Sequence, residues 1–323
     1  MKAVFLDRGS FPPEIAIAQP VGVSDWQLYH NTRADQVLER CRDADIVVTN
    51  KVCLDQAILA ALPELKFIAV AATGTNNIDL HACRAGNVRV VNATGYGTAS
   101  VAEHALLLML ALSRKLPAYM AANQQQQWAR SDFFCDLVAP MRTLDGKVLT
   151  LVGAGTLGNA VADRARAFGM QVVLAERPHA ETIRPGYCAF EAALAQGDFV
   201  SLHCPLTDQT HELINSTTLA LMKPTAILIN TGRGALVNEA DLLAALSTGQ
   251  LAGAGLDVAA TEPPAADQLI WQLAARDNVL LTPHIAWAAD EAMNNLLTQI
   301  NDKIGQYIAH HHNPGKHAAP VGL

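Results

Sequence analysis

The sequence has no cluster of Lys and Arg, no paired cysteines and no long apolar run. Its 323 residues carry 23 Lys and Arg against 30 Asp and Glu, a formal net charge of −7. Without a basic patch, nucleic acid is not an expected partner. No apolar stretch approaches the ~20 residues of a membrane-spanning helix. Nor does an early segment join a charged start to a long apolar centre, as a secretory signal would. The expectation is a cytoplasmic protein with no membrane partner. The six cysteines, Cys41, Cys53, Cys83, Cys135, Cys188 and Cys204, form no C-x-x-C. They read as reduced, mostly buried thiols, and none is assigned to a metal or to nucleophilic catalysis. Charged residues are only 16% of the chain and hydrophobic residues 50%, the composition of a compact folded protein rather than a disordered one. The length suits about two domains.

What is present is organised around residues 149–178, LTLVGAGTLGNAVADRARAFGMQVVLAERP. A β-branched apolar run enters a glycine turn, an Ala-rich helical pattern follows, and a second apolar run ends on Glu176. Gly153 permits a tight turn, Gly155 lets a pyrophosphate approach the backbone, and Gly158 lets the helix lie close on the sheet. The helix start, with its free N–H groups, favours an anion. Glu176 stands near the ~20-residue spacing at which an acid meets the adenosine ribose hydroxyls. The acid favours NAD, whereas the adjacent Arg177 could accommodate the extra phosphate of NADP. The pattern predicts dinucleotide binding; a tight turn with no ligand is the bland alternative.

Elsewhere apolar runs alternate with helical patterns. Strands are expected at 2–6, 44–50, 65–72 and 88–91, with a helix over 32–42. That grammar predicts an α/β fold with doubly wound parallel sheets, in which ligands meet the loops at the carboxyl ends of the strands. Asn50-Lys51 and Thr73-Gly74 are therefore candidate ligand loops. Lys51 reads equally as a solvated amine, and the Thr73-Gly74 N–H groups could hold a carboxylate without a cation. Residues 99–115 predict a strongly apolar helix, buried on most sides and suited to a domain junction or a subunit interface. Within it His104 reads as a packed or hydrogen-bonded structural residue. Residues 123–143 lack a clean period and read as an ordered surface excursion. The closing helix is expected over 290–309, and His310, His311 and His312 read as an exposed tail with no metal site.

Three later strands, at 225–230, 252–258 and 279–281, each precede a chemically capable residue: Arg233, Glu262 and His284. A parallel sheet would put all three on one edge. Arginine presents a planar fork that matches a carboxylate. A carboxylate beside a histidine favours the charged ring, so Glu262 would keep His284 protonated and oriented. Such a pair could give a proton to a carbonyl oxygen as a hydride reaches its carbon. Each residue alone reads as structural; together, beside a dinucleotide fingerprint, they point to reduction of a 2-oxo acid.

These residues carry a resemblance. Val-Gly-Ala-Gly-Thr-Leu-Gly at 152–158, His-Cys-Pro-Leu at 203–206, Ile-Asn-Thr-Gly-Arg-Gly at 229–234, Gly-Leu-Asp-Val at 255–258 with Glu262-Pro263, and Thr-Pro-His-Ile at 282–285 are similar to the NAD-dependent D-2-hydroxyacid dehydrogenases. The glycerate dehydrogenase (hydroxypyruvate reductase) branch is the most similar, over nearly the whole chain. The resemblance implies catalytic roles for Arg233, Glu262 and His284. It implies that Thr156 and Leu157 supply main-chain N–H groups to a pyrophosphate, that Asp257 holds the nicotinamide carboxamide, helped by backbone near Thr231 and Cys204, and that Thr73-Gly74 holds the substrate carboxylate. It also implies a Rossmann cofactor domain (99–287) inserted into a flavodoxin-like substrate domain (1–98 and 288–323), a cleft that closes on hydride transfer, and a homodimer formed through the apolar helix. Glu176 departs from the more usual Asp. A dinucleotide-sensing regulator is the rival from another class, marked by loss of part of the Arg-Glu-His set. A nearer rival is a formate or phosphite dehydrogenase, or a member of the same family with a bulkier 2-oxo acid; formate dehydrogenases carry Gln at the position of Glu262, which argues against that one.

Overall fold

The structure, a computed structural model, describes residues 1–312. The chain forms two compact units, Met1–Gly97 with Ala288–Leu323, and Thr98–Trp287.

In the first unit, β1 (Lys2–Phe5), β2 (Asp25–Leu28), β3 (Ile46–Thr49), β4 (Phe67–Val70) and β5 (Arg89–Asn92) build a sheet in the order β2-β1-β3-β4-β5. All pairings are parallel, and the order is the flavodoxin-like one. Strands β3 and β4, IVVT and FIAV, are buried along their whole length, as strands covered on both faces must be. Val4, Leu6, Val47, Ile68 and Val70 lie in one apolar cluster with Val37, Leu59 and Cys83. Each fully buried Leu or Ile contributes about 1.5–3 kcal/mol. The Asp290–His312 helix packs on β4, with the Tyr307 and Phe67 rings 4.4 Å apart.

In the second unit, β6 (Val148–Val152), β7 (Gln171–Ala175), β8 (Tyr187–Cys188), β9 (Phe199–Leu202), β10 (Ile227–Asn230), β11 (Gly253–Leu256) and β12 (Val279–Leu281) form a sheet ordered β12-β11-β10-β9-β6-β7-β8. Again all pairings are parallel. Alternate side chains enter opposite apolar layers: Leu149, Leu151, Ile227 and Ile229 on one face, Val152, Val200, Leu202 and Leu228 on the other, as period-two geometry requires. The order reverses at β6, the place where such sheets open a crevice beyond the strand ends.

Some expectations are corrected. Strands β2 and β8 were not anticipated. The apolar helix runs Thr98–Ser113, and a second helix, Leu116–Gln124, takes the start of the stretch expected to be irregular. The Lys115 backbone between them is left-handed and Pro117 lies in the first turn of the second helix, so the chain bends by 63° and restarts. The last helix continues to His312. Thus His310, His311 and His312 form a helical turn rather than a tail, and His311 Nε2 stands 3.2 Å from the Tyr307 hydroxyl. The small-residue tail after them lies outside the described residues. Among the described residues no single helix is long and apolar enough to cross a membrane.

Candidate active site

Strand β6 delivers the chain into the glycine turn. Gly153 has φ +98°, a left-handed conformation, and a Cβ there would lie 2.5 Å from the Cys204 backbone nitrogen. A Cβ on Gly158 would overlap the Gly153 carbonyl oxygen, so the helix start sits against the turn. In front of Gly155 the space is open, with no atom within 4 Å of a Cβ position. Gly155 is also the N-cap of the Thr156–Ala167 helix, whose first turn has no side-chain cap. Backbone donors of Thr156, Leu157 and Gly158 thus begin a helix beside an open approach, which suits a pyrophosphate. Nearby, on the loop after β10, the Thr231 hydroxyl is buried without a hydrogen-bond partner, the kind of orphaned group a ligand can satisfy. These features fit a dinucleotide.

The loop after β9 closes over the turn. Burial lowers the His203 pKa to about 4, which leaves the ring neutral, with Nε2 2.8 Å from the Ser201 hydroxyl. Burial pushes the Cys204 thiol up to about 11, far from a thiolate nucleophile.

At the end of β7, Glu176 is buried and held from within the fold. Arg184 reaches it with Nε at 2.6 Å and Nη2 at 2.7 Å, and the N–H groups of Arg177 and Arg184 donate at 2.8 and 3.2 Å. The Arg184 guanidinium and these N–H groups hold the carboxyl down at about 2. Arg184, which also lies 3.8 Å over the Tyr187 ring, carries no sequence signal that could have identified it. Arg177 is exposed beside the pair.

Three neighbouring strands place the remaining groups. After β10, Asn230 shapes a turn, accepting from Gly232 N–H at 3.1 Å and donating to the Arg233 carbonyl at 2.8 Å. The Arg233 guanidinium donates to the Gly232 carbonyl at 2.7 Å. After β12, His284 adopts φ 55°, a left-handed conformation that costs a β-carbon residue about 1–3 kcal/mol. Its Nδ1 is 2.6 Å from Glu262 Oε2, while Glu262 Oε1 accepts from the Ala259 N–H at 3.0 Å. The pairing occupies Nδ1, and Nε2 is the ring nitrogen on the other side. Both side chains are partly open to solvent, at 26% and 35% of full exposure, so a small molecule can reach them.

Asp257, after β11, is fully buried. Its Oδ1 accepts from the Thr282 hydroxyl at 2.5 Å and the Ile285 N–H at 2.9 Å, and its Oδ2 from the Ala286 N–H at 2.9 Å. The His104 Nε2 lies 2.9 Å from the Thr282 hydroxyl.

In the first unit the two expected ligand loops leave adjacent strands, β3 and β4. Buried Asp7 anchors one of them, accepting from the Asn50 N–H at 2.8 Å and the Lys51 N–H at 2.6 Å. Burial pushes its carboxyl above the ordinary range despite these donors. The Lys51 side chain is exposed. Asn92 fixes the other loop by donating to the Thr73 carbonyl at 2.6 Å, with Thr73 exposed and Gly74 half-buried.

Residues 106–286 match the family model for the D-isomer specific 2-hydroxyacid dehydrogenase NAD binding domain. A glycerate dehydrogenase of Methylorubrum extorquens is 39% identical, over 95% of this chain and 96% of that one. A crystal structure of D-lactate dehydrogenase from Aquifex aeolicus, complexed with NAD and lactic acid, superposes with TM-score 0.82 at 27% identity and covers both chains fully. The NADPH-dependent glyoxylate/hydroxypyruvate reductase of Sinorhizobium meliloti gives 0.80 at 27% identity, over 99% of this chain and 98% of that one. The chain is an oxidoreductase and belongs to the D-isomer specific 2-hydroxyacid dehydrogenase family, whose cofactor is a nicotinamide dinucleotide.

Proposed function

We propose that this protein reversibly reduces a small 2-oxo acid, hydroxypyruvate or glyoxylate, to the D-2-hydroxy acid with NADH. The observation that carries the reading is the 2.6 Å contact of His284 Nδ1 with Glu262 Oε2. It lies on the sheet edge that also bears Arg233. Relatives named glycerate dehydrogenase, hydroxypyruvate reductase and glyoxylate reductase support the substrate class.

Arg233 holds the substrate carboxylate and polarises the neighbouring carbonyl, a task for a planar, permanently charged fork. His284 donates the Nε2 proton to the carbonyl oxygen, and Glu262, fixed at Nδ1, orients the ring and stabilises its charge. When bound, a dihydronicotinamide supplies the hydride for the substrate carbon. Gly153, Gly155, Thr156, Leu157 and Gly158 would hold its pyrophosphate, Glu176 and Arg177 would face the adenosine ribose, and Cys204, Thr231 and Asp257 would surround the nicotinamide. Asn50, Lys51, Thr73 and Gly74 would bind the substrate, the Thr73-Gly74 N–H groups taking its carboxylate. NAD is the proposed cofactor because an acid closes β7; the exposed Arg177 is the group that would admit a 2′-phosphate.

A cytoplasmic homodimer is part of the same proposal. Leu107, Leu116, Met120, Trp128, Phe133 and Phe134 are large apolar side chains left exposed along one stretch of chain, Phe134 at 92%. Such a concentration marks an association surface. Light scattering on the purified protein tests it, with a monomer at micromolar concentration as the contrary result.

The reaction is tested by following NADH and NADPH absorbance with hydroxypyruvate, glyoxylate, pyruvate and a bulkier 2-oxo acid. Turnover of the small acids with NADH is expected. Binding of dinucleotide with no turnover of any acid would instead support a regulatory sensor.

A further inference from the structure

We propose that His104 is a positioning residue, which acts through the Thr282 hydroxyl and Asp257 to hold the loop that aims His284. The proposal rests on the reading of His284 as the proton carrier. His104 stands on the Thr98–Ser113 helix with its side chain only 12% exposed, whereas its neighbour Glu103 is 69% exposed.

Proton counting fixes the polarity of the network. Both Asp257 oxygens act as acceptors, Oδ1 from the Ile285 N–H and Oδ2 from the Ala286 N–H, each at 2.9 Å. Thr282 has a single hydroxyl proton, and Asp257 Oδ1 takes it at 2.5 Å, the other acceptor in reach being the Leu256 carbonyl at 3.5 Å. The Thr282 oxygen must therefore accept from His104 Nε2 at 2.9 Å, so His104 carries its proton on Nε2. Nε2 is also 3.5 Å from Asp257 Oδ1, which adds attraction to the carboxylate. Asp257 passes the constraint on: its two oxygens take the N–H groups of Ile285 and Ala286, and its carbonyl takes the His284 N–H at 2.7 Å. One helical turn before His104, the Ser100 hydroxyl donates to the Ala286 carbonyl at 2.5 Å. Residues 100 and 104 share a helix face, so one face holds both ends of the 282–286 loop. Between those ends His284 keeps its left-handed backbone, a conformation that persists only where neighbours impose it. Loss of the His104 donor would let the loop relax and move Nε2 away from the substrate oxygen, with no change in the groups that bind the substrate carboxylate.

Hydrogen exchange resolved at the Ile285 and Ala286 amides in the ligand-free protein, together with steady-state kinetics, tests this in four variants. His104→Phe and Thr282→Val remove a donor or the relay, whereas His104→Gln and Thr282→Ser keep them. The first two are expected to speed exchange at both amides about tenfold and to lower kcat at least tenfold, with KM for the 2-oxo acid within twofold. The conservative pair should stay near wild type in both readouts. Unchanged exchange in His104→Phe and Thr282→Val overturns the proposal. So does a His104→Gln protein as impaired as His104→Phe, since packing alone would then explain the histidine. If one variant fails to fold, the other member of its pair carries the same outcomes. A wild-type chain that reduces no 2-oxo acid overturns the proposed reaction, and amide exchange still decides whether His104 anchors the loop.

Discussion

Glu262 and His284 meet at 2.6 Å although they leave different strands, β11 and β12, and neither lies on a helix or a strand. The contact occupies Nδ1, so Nε2 is the nitrogen proposed to carry the proton to substrate. His284→Ala should therefore lower kcat by about 10²–10⁴-fold, the range for a lost general acid. NADH affinity, read by fluorescence titration, should stay within about twofold. Undiminished turnover would remove His284 from the chemistry.

Arg233 is expected to tolerate no cationic replacement. In Arg233→Lys the charge remains but the planar pair of donors is lost. A missing charge-assisted hydrogen bond costs about 1.5–3 kcal/mol, so kcat/KM for hydroxypyruvate should drop roughly ten- to hundredfold. Equal kcat/KM in the two proteins would show that a point charge suffices.

The glycine turn separates binding from folding. At Gly155 the backbone has φ −77° and the space ahead is open, so Gly155→Val should leave Tm nearly unchanged while weakening NADH binding more than tenfold. Gly158→Ala would drive a methyl into the Gly153 carbonyl and should lower Tm by several degrees, about 1–3 kcal/mol of overpacking. Calorimetry and NADH titration on both variants check the contrast; equal loss of Tm would contradict it.

Acid stability should depend on Glu176. Its pKa in the folded protein is about 2, against an ordinary 4.5. A carboxyl depressed on folding stabilises fully above its unfolded value and loses that contribution as pH falls from about 4.5 towards about 2. Arg184→Met removes the principal cause of the depression, so its acid-unfolding midpoint, followed by circular dichroism, should lie at higher pH than that of wild type. Coincident acid transitions would show that the ion pair contributes nothing.

The fold was legible where burial is uniform. Strands β3, β4 and β10 are covered on both faces, so each appears as an apolar run bounded by polar residues. Strand β2, Asp-Trp-Gln-Leu, edges its sheet with no residue fully buried, and β8 is two residues long; neither carries a periodic signal. The same division runs through the candidate site. Arg233, Glu262 and His284 could be picked out because each follows an apolar strand. The partners that fix such groups could not be: Arg184 reaches Glu176 across a loop, and His104 reaches Thr282 from 178 positions away. Hydrogen bonds between segments far apart in the chain leave no spacing to read.

The first sheet is completed from both termini of the described chain: its strands end before Gly97, while the helix that covers β4 begins at Asp290. On the ribosome, all of Thr98–Trp287 is synthesised before Tyr307 can reach Phe67. The cost of joining ends so far apart rises only with the logarithm of the intervening length, and it shrinks once that interval has collapsed into a globule. Birth order thus favours the middle of the polypeptide, and the N-terminal segment is the last part of the molecule to acquire a finished core.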